Sequence, residues 1–305
     1  MTGFLIEQAL NGLQFGLTLF LMASGLTLVF GVMGLINLAH GVLYMTGAFA
    51  CAFAAAATGS FWWGLGAGVA AAAAVGALVE IGVMRRLYAR DHLDQVLATF
   101  ALILIFSEGA RMLSGGRPLW LEIPEALSGH LMLPGDVAYP LYRLAIIGVG
   151  LAVALGLWAL IALTRLGMAI RAGQSDREMI AALGVDIGAL YTAVFALGAG
   201  LAGLGGALIG ALQSVEVGMG EPVLILAFVV IVIGGIGSIR GALVGALLVG
   251  VVDTAGRAFL PAAFALLYPP AEATAIGAAL ASMLIYLVMA LVLALRPKGL
   301  FPAHG

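Results

Sequence analysis

The stretch from Gly25 to Ala48, GLTLVFGVMGLINLAHGVLYMTGA, decides how the rest of the chain is read. It is long and apolar enough to cross a bilayer, yet Gly31, Gly34, Asn37, His40 and Gly41 interrupt it. Glycine in a helix interior costs about 1 kcal/mol relative to alanine, and asparagine competes with the helix for backbone groups. Inside a membrane such a break is tolerated only where the freed backbone lies within protein or lines a wet cavity. A broken membrane helix therefore points to a transport path rather than a lipid anchor.

Outward from that stretch the same character continues. Of the 305 residues 63% are hydrophobic and 9% charged, with a mean hydropathy of +1.17, whereas a soluble domain carries roughly 25% charge. Candidate spans fall near 9–32, 37–58, 62–84, 95–114, 141–163, 187–212, 223–239, 241–260 and 272–295. The second and seventh read equally as half-helices or re-entrant segments. The expected fold is an all-α integral membrane protein of about eight spans, give or take one, forming a single membrane domain over residues 1–305. The N-terminus lacks the basic n-region and cleavage site of a signal peptide.

Arginine placement orients the spans. Arg85, Arg86 and Arg90 share one short connection, Arg165, Arg171 and Arg177 another, and Arg296 and Lys298 follow the last span, while 59–61 and 213–222 carry no basic residue. The positive-inside rule makes the basic segments cytoplasmic and the Gly115–Tyr142 connection external. Nine crossings would then put the N-terminus outside, and eight would put it inside.

Enzymatic readings find no support in the residues. Cys51 is the only cysteine, and His40, His92, His130 and His304 are scattered without metal-ligand spacing. Lys298, the only lysine, follows a proline and does not sit in a phosphate-binding loop. No GxSxG elbow occurs, the Gly-x-Gly matches lie inside apolar helices, and no basic aromatic patch suits nucleic acid. No metal or cofactor is expected.

Ion coupling would need titratable groups at depth. Glu80 with Arg85, Glu108 with Arg111, and Asp253 with Arg257 each share a helix face and read as local ion pairs near an interface. Asn37 and His40 admit two readings: helix cap and partner of freed carbonyls, or border of a permeation path or gate. Two hundred residues on, GGIGSIRG at Gly234–Gly241 faces GLINLAHG at Gly34–Gly41, with His40 opposite Arg240. A true repeat would imply two half-domains around a central path; chance also matches glycine-rich apolar segments. Gly234, Gly235 and Gly237 accordingly read either as a gate or as close helix packing.

One hydrophilic cytoplasmic segment stands out, LGMAIRAGQSDREMIAALGVDIG at Leu166–Gly188. Its apolar residues recur every three to four, Ser175 and Glu178 have capping-box spacing, and Gly184 is placed to stop a short helix. A solvated connector is one reading. A short amphipathic helix fused to spans on both sides, against which a soluble motor pushes, is the favoured one.

At this point the residues resemble a known family. INLAHGxxxMxGA at Ile36–Ala48 is similar to the signature of LivH-type permeases, the membrane subunits of branched-chain amino acid ABC importers. RAGQSDREMIAALGVD at Arg171–Asp186, GAGLAGLGGAL at Gly198–Leu208, FVVIVIGGIGSIRGALVGALLVG at Phe228–Gly250 and RPKGLF at Arg296–Phe301 extend the resemblance along nearly the whole chain. The SLGHAAF-like variant of the first motif, usual in the partner permease, is absent. The resemblance implies a type II importer-like fold in the bacterial inner membrane. It implies as partners a LivM-type second permease, two ABC ATPase subunits that bind the ATP, and a substrate-binding protein. It further implies a coupling helix within Arg171–Gly184, with Arg171, Asp176, Glu178 and Gly184 as its key positions. The expected cargo is leucine, isoleucine or valine, relatives of this type also serving urea, amides, other amino acids or aromatic acids. The rival classes are a stand-alone secondary transporter or channel for a small neutral solute, and a structural membrane scaffold.

Overall fold

A computed structural model describes residues 2–35, 37–135 and 137–302. Ile36, which opens the signature run, and His304 lie outside the described residues. Among the described residues eight helices are long and apolar enough to cross a membrane. These are α1 (Thr2–Met33), α2 (His40–Thr58), α3 (Phe61–Leu87), α4 (His92–Ser114), α5 (Leu141–Leu163), α8 (Ile187–Ile209), α10 (Ile239–Phe264) and α11 (Pro270–Leu295). Between them lie two short helices, α6 (Arg165–Ser175) and α7 (Arg177–Ala182), and the apolar α9 (Gly220–Gly234).

The two doubtful spans resolve differently. The break ends before His40, so α2 runs uninterrupted for 19 residues. The seventh candidate, α9, has 15; at 1.5 Å per residue that is about 22 Å, less than the ~30 Å hydrocarbon thickness. The Gly115–Tyr142 connection contains an antiparallel hairpin of β1 (His130–Leu133) and β2 (Val137–Pro140), with Leu131 opposite Tyr139.

The chain divides into two compact units. One comprises residues 21–124 and 152–227. Its helices approach through glycine: a Cβ at Gly25 would strike the Gly198 backbone, one at Gly47 the Gly203 backbone, and one at Gly206 the Tyr44 carbonyl. Such contacts bring backbones together where lipid supplies no hydrophobic drive for helix association, so dispersion dominates. The other unit comprises residues 1–20, 125–151 and 228–305. There Gly16 meets the Ala246 carbonyl at 2.8 Å from its would-be Cβ, and Gly277 meets the Pro261 ring at 2.8 Å.

Candidate functional site

The break itself is built by Gly34. Its N–H completes the last α1 bond to Phe30 at 2.8 Å, and its φ of +68° turns the chain out of the helix, a conformation costly for a residue with a Cβ. Helix α2 then starts at His40 with Ala39 in the cap position and no side-chain cap. Asn37 therefore does not cap it; the Asn37 carbonyl accepts only the His40 backbone N–H, at 3.3 Å. Both side chains are fully buried, at 0% exposure. The His40 ring reaches the backbone of Met22 on α1, whereas neither Asn37 amide atom has a hydrogen-bond partner among the described residues. Leaving such an amide unpaired costs about 1–3 kcal/mol, so Asn37 is the unsatisfied group of the break.

The cytoplasmic segment folds as two helices. The Thr164 hydroxyl caps α6 by accepting the Gly167 N–H at 3.0 Å. Asp176 ends α6 in extended geometry and caps α7, its Oδ1 accepting the Met179 N–H at 3.0 Å. Ser175, the residue that capping-box spacing selected, is instead the last residue of α6. A carboxylate one position later takes the role because it alone has left helical φ and ψ. Gly184 at φ +86° follows α7, and Asp186 caps α8 at Ala189 N, 3.0 Å. Arg171, Asp176 and Glu178 are exposed, as are Met168, Met179 and Leu183, whereas Ile170 and Ile180 point inward. A Cβ at Gly173 would lie 3.4 Å from Ile180, 3.5 Å from Leu190 and 3.8 Å from Val32. The segment thus packs on the start of α8 at Leu190 and comes near the end of α1 at Val32, one residue short of Met33.

Beside it sits a polar knot that periodicity did not reveal. A π-helical turn, Glu80–Met84, carries the fully buried Glu80. Its carboxylate accepts from Arg85 Nε at 3.2 Å and Nη2 at 2.9 Å, from the Tyr88 hydroxyl at 3.1 Å and from the Thr192 hydroxyl at 2.5 Å. Arg85 also reaches the Gly188 carbonyl at 3.2 Å. Burial, and next the Glu80 carboxylate, hold the Tyr88 phenol above its usual range, so it stays a donor; its oxygen also lies 3.5 Å from Met33 Sδ. The knot ties the end of α3 to the start of α8. Glu80 and Arg85 were visible in the sequence, but Thr192, 112 residues away, carries no sequence signal.

In the other unit, α9 ends at Gly234, packed against Gly241. Gly235 has φ +107° and Gly237 φ +81°, and Ser238 caps α10 by accepting the Gly241 N–H at 3.1 Å. The C-terminal segment closes over this turn. Leu300 N–H donates to the Ile233 carbonyl at 2.9 Å and Phe301 N–H to the Gly234 carbonyl at 2.8 Å, while a Cβ at Gly235 would lie 2.6 Å from the Phe301 oxygen. Gly234 and Gly235 are thus in close backbone contact, and Gly235 and Gly237 make the turn. The remaining sequence pairs form as read: Asp253 with Arg257 at 2.9 Å and Glu108 with Arg111 at 3.2 Å.

Comparison with known proteins agrees with this architecture. The family described as branched-chain amino acid transport system / permease component matches residues 8–293. The high-affinity branched-chain amino acid transport system permease protein BraD of Pseudomonas aeruginosa is 32% identical over 265 residues, 82% of this chain and 86% of that one. The corresponding LivH proteins of Salmonella typhimurium and Escherichia coli are each 28% identical over 84% of this chain and 87% of their own. No solved structure matches.

Proposed function

We propose a function from one premise: the chain belongs to the family of branched-chain amino acid transport system permease components. It is the multi-pass permease subunit of an ATP-driven importer of leucine, isoleucine and valine in a bacterial inner membrane. It works with a LivM-type second permease, two ABC ATPase subunits on the cytoplasmic side and a substrate-binding protein. The sequence holds no phosphate-binding loop, which leaves ATP to the ATPase partners.

The observation that carries this reading is the contact between the exposed α6–α7 segment and the end of α1 at Val32. A partner that docks on Arg171, Asp176, Glu178 and the turn at Gly184 displaces a short, well-capped lever. The lever bears on α1 immediately before Gly34, and the Glu80 knot keeps α8 and α3 moving with it. The break with Asn37 and His40 is then the part of the path that opens and closes, and hydration or passing solute supplies the partners that the Asn37 amide lacks. The turn at Gly234, Gly235 and Gly237, held closed by residues 300–301, serves as a fixed clasp.

The test uses the whole importer. Purified through this chain from its host and rebuilt in proteoliposomes, it should contain a second permease and two ATPases and take up leucine. Asp176→Ala with Glu178→Ala should lower uptake at least tenfold while ATP hydrolysis by the partners continues. Unchanged uptake removes the coupling role, and recovery of the chain alone, folded and in good yield, removes the importer.

A further inference from the structure

The unit made of residues 1–20, 125–151 and 228–305 carries a groove of about 460 Å³, within the size range of small-molecule sites. Gln8, Asn11 and Gln14 line it from α1, Arg143 from α5, and Thr254 and Arg257 from α10. The three amides fall three residues apart on one stripe of an otherwise apolar helix. Phe4, Gln8 and Arg143 lie in the first turns of α1 and α5, so the groove opens near one end of these helices.

Its hydrogen bonds leave a definite set of groups unused. Asn11 Oδ1 accepts from Arg143 Nη1 at 2.7 Å and from the Tyr139 hydroxyl at 3.2 Å, which fixes that guanidinium at the groove wall. Arg257 spends only its Nε on Asp253, at 3.0 and 2.9 Å from the two carboxylate oxygens. Asp253 is buried, whereas the Arg257 side chain is 58% exposed. Its two terminal nitrogens have no partner among the described residues. Gln14 gives Nε2 to Thr18 at 3.2 Å, which keeps its amide oxygen as an acceptor. Arg143 and Arg257 stand against the buried Asp253 carboxylate and, across Tyr139, the Glu7 carboxylate, so positive charge is concentrated at the guanidiniums rather than spread over the wall. Amide oxygens and a hydroxyl stand close by, and the rings of Phe4 and Phe15 complete the lining.

We propose that this groove is a binding site for an α-amino acid on its way through the permease, an inference that rests on the importer function above. The Arg257 terminal nitrogens take the substrate carboxylate in a two-pronged, charge-assisted bond. Arg143 adds to the positive field, the Gln8 and Gln14 oxygens accept from the ammonium group, and Phe4 and Phe15 receive the apolar side chain.

The intact importer in proteoliposomes, with saturating binding protein, is assayed for maximal leucine uptake. R257Q should lower it at least tenfold with all subunits still co-purifying, and R257K, which keeps the charge but not the two-pronged geometry, should restore only part of it. T254C supplies a second reading in an otherwise unaltered chain, because Cys51, the only native cysteine, is buried. A membrane-impermeant maleimide should label T254C, and millimolar leucine should slow that labelling. Full uptake by R257Q, or T254C labelling indifferent to leucine, overturns the site. Loss of the second permease from the R257Q complex also overturns it, making the groove a subunit contact. If the wild-type complex takes up no leucine, the importer reading fails first and takes the site with it.

Discussion

Between α1 and α2 the chain leaves helical geometry at Gly34, φ +68°, and re-enters it at His40; between α9 and α10 it leaves after Gly234, with Gly235 at φ +107°, and re-enters at Ile239. The sequences align at an offset of 200 residues, Gly34 with Gly234 and Gly41 with Gly241. Their polar groups are treated in opposite ways. At the second break Ser238 caps α10, and the Leu300 and Phe301 N–H groups satisfy the carbonyls that α9 leaves free. At the first, Ala39 provides no cap, His40 reaches only the Met22 backbone, and the Asn37 amide is buried without a partner among the described residues. A glycine break in a membrane helix thus marks irregular backbone only; whether it is a clasp or a part of the path depends on what saturates the freed groups. A saturated break holds its shape, and an unsaturated one keeps capacity for water or solute.

Substitutions at the two breaks should separate along this line, the largest effect on stability coming from the clasp. Gly235→Leu forces a side chain into a left-handed backbone and against the Phe301 carbonyl. A cost of about 3–5 kcal/mol is expected from strain plus overpacking, read as loss of monodisperse protein in mild detergent. Normal yield and melting temperature would erase the distinction between the breaks. Leu300→Pro removes one donor, the N–H to the Ile233 carbonyl, and should cost about 1–3 kcal/mol. It should lower the melting temperature measurably while leaving some transport. The smallest stability effect belongs to Asn37→Leu: with no bond to lose, an apolar replacement of similar size should be neutral or slightly stabilising. Leucine uptake should nevertheless fall at least tenfold. A clear drop in melting temperature with full uptake would make Asn37 a structural residue and remove the path reading of the first break.

Legibility in the sequence followed the range of the interaction. The eight long helices, the break after Met33 and the stop at Gly184 were readable because hydropathy and glycine act on their own neighbours. Ser175 was chosen over Asp176 because adjacent residues can both cap, and only the dihedral angles decide which one leaves the helix. The amide stripe at Gln8, Asn11 and Gln14 was present in the sequence as a period of three in the first span, but its value as a groove depends on Arg143 and Arg257 arriving opposite it. The same holds for Glu80, whose partner Arg85 is local and whose partner Thr192 is not.

The sequence by itself determined a membrane protein of about eight apolar helices, the places where those helices break, and a hydrophilic segment at Leu166–Gly188 unlike its surroundings. Each follows from free energies that sum over a few consecutive residues. Only the tertiary structure decided which buried polar groups are saturated. It set the Glu80 carboxylate among three donor side chains, laid residues 300–301 over the second break, and left the Asn37 amide bare among the described residues. Hydrogen bonds form across space between residues that may be far apart along the chain, and no local pattern encodes where the partner will be.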